Sequence, residues 1–251
     1  MISLSSINHH VMEFLRPLNH LNLVLVQTNK VLLIKNLAMK LATSIFVLLS
    51  FFSTYAQSVK IGQQEWMTQN LEVTQFNNGD PIPQAQSSEE WEVAGFNQKP
   101  AWCYVTTYAE ENEVIVKQYG KLYNSFAIND PRGMVPEGWR LSTVDDWFVL
   151  QQQLEQMNLS IQDVLTNESW GTLSGTDKLG LHISPGGWRD VGCGGVGTDV
   201  TFWCEKSEVE EGDEQVYTKS VSIGFYDDGS AYVNSSETGW IMGYYARCLK
   251  K

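Results

Sequence analysis

Tyr119-Gly120-Lys121-Leu122-Tyr123-Asn124, then Pro136-Glu137-Gly138-Trp139-Arg140-Leu141-Ser142-Thr143 and Asp146-Trp147, is the stretch that decides the fold. It reads as a strand or turn, a tight turn carrying a Trp, and a capped helix that buries a second Trp. Ser142 or Thr143 can cap that helix, with Asp145 or Asp146 near its third position in a variant of the capping box. Both acids also suit the positive end of the helix. Val144, Trp147, Leu150, Leu154 and Met157 recur at spacings of three and four, which predicts one apolar face ending near Asn158.

Around this centre the signals alternate between strands and turns. Val59–Ile61 and Glu65–Met67 predict a hairpin turning at Gly62-Gln63, and Asn77-Asn78-Gly79-Asp80-Pro81 predicts a turn. A short polar helix is expected from Ser87 to Glu92, and a strand from Trp102 to Tyr108. Glu110 to Glu113 reads as a solvated tip. A second short helix is expected from Ser160 to Leu165. Beyond Trp170 the pattern turns to Gly-rich loops and strands, with strands at Val200–Cys204, Val216–Tyr226, Ser230–Val233 and Trp240–Leu249. Asp227-Asp228-Gly229-Ser230 predicts a hairpin turn. The predicted class is α+β, an irregular antiparallel sheet with one or two helices and long loops.

The first 56 of the 251 residues differ from the rest. They hold four Lys/Arg and one acid, so residues 57–251 keep 13 bases and 28 acids, a net charge of −15. All nine Trp and all four Cys fall in that second part. Its 195 residues are enough for one sizeable core. Such a charge disfavours nucleic acid or anionic lipid as a partner. Residues 39–56 read as a secretory signal: Met39-Lys40 is a positive start, Ile45 to Phe52 is apolar but short for a membrane span, and Ala56 suits cleavage before Gln57. The competing reading is a buried or anchoring N-terminal helix. Residues 1–38 would precede a complete signal, and a start at Met39 explains them most simply. The expected division is therefore an extension over 1–38, a signal over 39–56, and a single domain over 57–251.

Export makes two disulfides the expectation for Cys103, Cys193, Cys204 and Cys248, with three connectivities open. Cys193 and Cys204 flank a short Gly-rich segment and could close a local loop, which leaves Cys103 with Cys248. Zinc is not expected: there is no Cys-x-x-Cys pair, and His182 is the one His after residue 56. His182, within Leu181-His182-Ile183, reads as a structural residue of an apolar strand rather than a general base. No nucleophile–base pair emerges, so no enzyme and no catalytic residue is expected.

The pieces in order resemble the Fibrobacter succinogenes major paralogous domain. The matching residues are Ile61-Gly62-Gln63, Trp66-Met67, Asn70-Leu71, Trp102-Cys103-Tyr104, Tyr119 to Asn124 with Ala127, Pro136 to Arg140, Asp146-Trp147, Pro185-Gly186-Gly187, Phe202-Trp203 and Ala246-Arg247-Cys248. The resemblance spans residues 59–250 and implies a C-type-lectin-like fold, an exported bacterial protein and no defined enzymatic activity. The family often has a Cys before the Pro-Glu-Gly-Trp turn, where this chain has Val135, and many members have a lipid-bearing Cys where this chain has Gln57. Lipid anchoring is therefore not expected. Arg140 to Thr143 with Asp146-Trp147 also resembles a segment of the formylglycine-generating enzymes, but their pair of reactive cysteines has no counterpart in the spacing here. Calcium is the one candidate cofactor the fold implies, with Asp227-Asp228 as donors, but Asp-Asp-Gly is more often simply a hairpin turn.

These expectations combine into an exported, monomeric binding module at or outside the cell surface, with a glycan as first ligand and a surface protein as second. A divergent relative of the formylglycine-generating enzymes and a purely structural surface protein are the alternatives. Trp66, Trp139, Trp147 and Trp203 are expected in the core; Trp91, Trp170, Trp188 and Trp240 lie in loop-like contexts. The expected site is among the loops after residue 166. Trp188 and Trp240 would stack on the ligand there, and Arg189 and Asp190 would hold its hydroxyls or carboxylates.

Overall fold

The computed structural model describes residues 57–109, 112–206, 217–239 and 241–251, together with Lys35. The chain divides into two units, Met1–Tyr55 and Ala56–Lys251. The extension over 1–38 and the signal over 39–56 lie outside the described residues, as does Trp240.

The second unit is α+β. Its first hairpin pairs β1 (Ser58–Ile61) with β2 (Gln64–Met67), Val59 opposite Trp66. The last strand, β14 (Cys248–Lys250), lies against β2 and against β5 (Trp139–Leu141). Both ends of the domain thus share one four-stranded sheet, β1-β2-β14-β5.

The second sheet is mixed. Its order is β12 (Ala231–Thr238), β11 (Thr218–Phe225), β10 (Asp199–Lys206), β8 (Gly186–Arg189), β13 (Gly243–Ala246), β4 (Asn112–Asn124) and β3 (Trp102–Ala109). β9 (Cys193–Val196) pairs with β8, and β10 runs parallel to both β8 and β13. The β11–β12 hairpin closes over Asp227 to Ser230, where Ser230 N–H and Oγ both donate to Asp228 Oδ1. The Asp-Asp-Gly segment is therefore a turn held by its own carboxylate.

Among the described residues of the second unit there are three α-helices, α1 (Ser88–Phe96), α2 (Ser125–Ile128) and α3 (Val144–Gln156). α3 starts with the expected capping box: Asp146 N–H donates to Thr143 Oγ1, and Thr143 N–H donates back to the Asp146 carboxylate. Arg140 clamps the same carboxylate at 2.5 and 2.8 Å. Trp147, Leu150 and Leu154 form the buried face, while Met157 ends the helix half in solvent. The short helix expected near residue 160 is a 3-10 turn, Ile161–Val164, and it is followed by a separate two-stranded pair, β6 (Ser169–Trp170) and β7 (Leu173–Ser174).

The deciding stretch works through long-range hydrogen bonds. Tyr123 is fully buried, and its hydroxyl donates to the carbonyls of Leu71 and Val73. Asn124 accepts from the N–H groups of Ala101 and Ala127 and donates to the carbonyl of Lys99, so one side chain caps α2 and fixes the start of β3. Of the four Trp expected inside, Trp66, Trp147 and Trp203 are fully buried and Trp139 nearly so.

Several expectations change. Trp91 and Trp170 are core residues rather than loop residues. Trp91 lies on the inner side of α1, which runs to Phe96, and its indole N–H donates to the carbonyl of Ile241. Trp170 bonds the carbonyl of Thr166 and meets Phe225 edge-on. The single strand expected over Trp240–Leu249 is split at Arg247: β13 belongs to the eight-stranded sheet and β14 to the four-stranded one. His182 is not in a strand. It has φ +54, an exposed side chain, and an Nδ1 contact with the Asp177 carboxylate.

The loop between α3 and β8 is organised by Asp163. Its carboxylate accepts from Lys178 Nζ at 2.7 Å, Ser160 N–H at 2.9 Å and Thr176 Oγ1 at 2.8 Å. The Lys178 contact leads these in holding its pKa down to about 2. A carboxylate with a depressed folded pKa stabilises the fold above its unfolded value, near 3.8, and loses that contribution as pH falls towards 2. Asp163→Asn should therefore cost about 1–2 kcal/mol at pH 6. The gap between variant and parent in thermal unfolding should close between pH 4 and pH 2; a constant gap across that range would mean the charge is not what matters.

Candidate functional site

β8 places the residues singled out from the sequence, and it separates them. Gly186 and Gly187 are buried where β8 crosses β9. Gly187 has φ +71, and a Cβ there would lie 2.2 Å from the carbonyl oxygen of Gly194, so only glycine fits. The next two side chains point to opposite faces, because a strand alternates. Trp188 is half-buried beside the cluster of Met67, Trp102 and Trp203, with its ring against Gly194. Arg189 turns the other way, towards α1 and Trp91, and is 3% exposed. Asp190 serves the β8–β9 turn, accepting from Gly192 N–H at 2.8 Å. Trp188, Arg189 and Asp190 therefore do not converge on one surface.

Arg189 alone of these lines a cavity. The cavity has a volume of about 370 Å³ and is walled by Gln84, Gln86, Ser87 and Ser88 before and at the start of α1, by Tyr104 and Thr106 of β3, and by Ile115 of β4. Ser87 caps α1 by accepting from Glu90 N–H, and Glu90 in turn accepts from Gln86 N–H at 2.7 Å. Arg189 Nη2 donates to Ser88 Oγ at 2.9 Å, and the guanidinium stacks over the Trp91 ring at 5.5 Å. Its Nη1 points at Cys193 Sγ at 3.9 Å, and the Cys103 thiol lies within its electrostatic reach. Nε is buried without a partner. Among the described residues no carboxylate pairs with it.

A second cavity of about 390 Å³ is lined by Asn70, Glu72, Gln118, His182 and Arg247. Its cation is already satisfied. Arg247 donates to Asn70 Oδ1 and to the carbonyls of Met67, Leu181 and His182. Glu72 adds a negative wall, and this space lacks the unmet buried donor of the first.

The four cysteines are free thiols. Neither expected bridge, Cys103–Cys248 or Cys193–Cys204, is formed. The reason is placement: Cys103 and Cys204 belong to one core cluster and Cys248 to the other. Cys193 lies by Thr106, whose N–H donates to its sulfur at 3.3 Å, while Cys204 is enclosed near Ser142 and Trp147. Burial pushes the thiols of Cys103 and Cys248 up to about 12 and that of Cys204 higher still. Cys204 and Cys248 are thus protonated at neutral pH and lie in separate clusters, which is no arrangement for a reactive pair. Among the described residues, no group of three His, Cys, Asp or Glu is assembled around a common point. No described helix is long and apolar enough to cross a membrane.

Of the cavity residues, the sequence marks Ser87 as a helix start and Tyr104 as part of a family motif, and assigns neither these nor Gln84, Gln86, Ser88, Thr106 and Ile115 to a site. One signal was available: Ser87 followed three residues later by Glu90 marks a helix start. The strand period of two is a second signal, because it sends the neighbouring side chains Trp188 and Arg189 to opposite faces.

Fold and cavity together define an aromatic-rich α+β domain whose two ends join in one sheet and whose helix start faces a buried arginine that, among the described residues, no carboxylate pairs with. The chain belongs to the Fibrobacter succinogenes major domain family, whose family model matches residues 59–250. That description attaches no enzymatic activity to the domain. No curated protein and no solved structure matches the chain.

Proposed function

We propose that this chain is an exported bacterial module of C-type-lectin-like fold that acts as a monomer, at or outside the cell surface, and binds a glycan in the Arg189 cavity. One observation carries the reading. A buried guanidinium, paired with no carboxylate among the described residues, faces a cavity walled mainly by amides, hydroxyls and one phenol, with Ala85 and Ile115 as its apolar part. Small-ligand sites have volumes of about 300–1,000 Å³ and use a few fixed polar groups for orientation. Sugar hydroxyls match the donors and acceptors of Gln84, Gln86, Ser87 and Thr106, and Tyr104 offers an aromatic face. The fold proposal draws support from the joined terminal strands and the irregular second sheet.

A protein ligand is the second reading. Val93 is exposed on α1, the helix that begins at the cavity wall, and gives a partner chain apolar area to cover.

Binding of the purified protein to a glycan array tests the first reading. We expect a defined subset of sugars to be retained, and binding to be lost in Ile115→Trp, which fills the cavity mouth from an exposed position. An array with no retained sugar would sink the glycan reading.

A further inference from the structure

We infer that the Arg189 cavity selects a carboxylated sugar, a uronic acid within or at the end of a glycan; this rests on the glycan reading above. Removing a guanidinium from water without a counter-charge is costly. The present neighbours of Arg189 are the Ser88 hydroxyl, the thiols of Cys103 and Cys193, and the face of Trp91. They supply dipoles and a π face but no negative charge. A carboxylate entering the cavity would supply it, and the planar guanidinium is the side chain best shaped to take one through paired hydrogen bonds.

The surroundings support an anion rather than a second cation. Lys117 stands over the Tyr104 ring at 5.3 Å and Lys121 at 5.5 Å, so two β4 cations lie against the residue that forms the aromatic wall of the cavity. Lys121 is also paired with Glu72 at 3.8 Å, which leaves Lys117 as the cation there without a carboxylate partner among the described residues. The first turn of α1 carries two carboxylates, Glu89 and Glu90; Glu90 accepts from Gln86 N–H, and among the described residues neither forms an ion pair with Arg189. The first turn of α1, nine residues long, adds its partial positive charge at Ser88. A neutral hexose would use the same amides and hydroxyls but leave Arg189 unpaired. Discrimination against ligands that leave a buried polar group unmet is the strongest kind a pocket can make.

Isothermal titration of the purified protein with digalacturonate and with its neutral counterpart galactobiose tests this. The acidic sugar should bind at least about tenfold more tightly. Arg189→Gln, checked for folding by circular dichroism, should bring the affinity for the acidic sugar down to the level of the neutral one. Ile115→Trp should block both, and it decides the matter if Arg189→Gln fails to fold. Equal affinity for the two sugars would overturn the acid preference while leaving the glycan reading intact. Acid preference surviving in folded Arg189→Gln, or undiminished binding in Ile115→Trp, would overturn the site. Absence of binding to either sugar, with capture of peptides through a free C-terminal carboxylate instead, would remove the acidic-sugar assignment and the glycan reading together.

Discussion

Replacing Arg247 with leucine should leave the domain unfolded or close to it. Arg247 is 1% exposed and lies where the chain passes from one sheet to the other. Its guanidinium donates to Asn70 Oδ1 at 3.1 Å, to Met67 O at 2.9 Å, to Leu181 O at 3.0 Å and to His182 O at 3.3 Å. It also lies over the Phe202 ring at 5.6 Å. Burial pulls its pKa down to about 9, so it is still charged at neutral pH. One side chain therefore satisfies acceptors from the N-terminal hairpin, the segment after it, and the loop before β8. Leucine fills the space but leaves those acceptors without donors. Each orphaned buried acceptor costs about 1–3 kcal/mol, so the loss should reach at least about 4 kcal/mol. Domains of this kind are stable by about 5–15 kcal/mol in all. Lysine keeps the charge but cannot span four acceptors, and should recover only part of the loss. Urea unfolding checks both variants; a midpoint for Arg247→Leu near the parent's would show that the arginine is dispensable.

Trp147→Ala should cost about 3–5 kcal/mol, the usual range for removing a buried Trp. The ring is fully buried, stacks on Phe202 at 4.9 Å and meets Trp66 at 4.6 Å. Its indole N–H donates to Ser142 Oγ at 3.1 Å. Trp66 belongs to the four-stranded sheet and Phe202 to the eight-stranded one, so this contact joins both sheets to α3. Trp147→Phe keeps most of the packing and should recover most of the stability. Trp188→Ala, at a half-buried position, should cost less than Trp147→Ala in the same thermal unfolding series. A loss for Trp188→Ala equal to that for Trp147→Ala would mean that burial does not rank these sites.

The sequence by itself determined what local rules govern. The capping box at Thr143 and Asp146 and the apolar spacing of α3 need only residues within a few positions of one another. So do the hairpins at Gly62 and at Asp228. The ordered motifs sufficed for the family, because Trp66, Trp139, Trp147, Trp203, Tyr123 and Asn124 each fill one fixed place in the core.

Tertiary structure decided everything that depends on which distant segments meet. Trp91 is core because Gly243 leaves room for its ring and Ile241 offers a carbonyl, and nothing near Trp91 in sequence announces either. The expected partners Cys103 and Cys248 fall into different core clusters because strands adjacent in a sheet come from opposite ends of the chain. Arg189 became the centre of a cavity, and Trp188 did not, because β8 exposes its two faces to different neighbours: α1 on one side and the second core cluster on the other. Short-range propensity sets an element, but the charge and burial of a site depend on partners roughly a hundred residues away, such as Ser88 for Arg189; no local pattern encodes that distance.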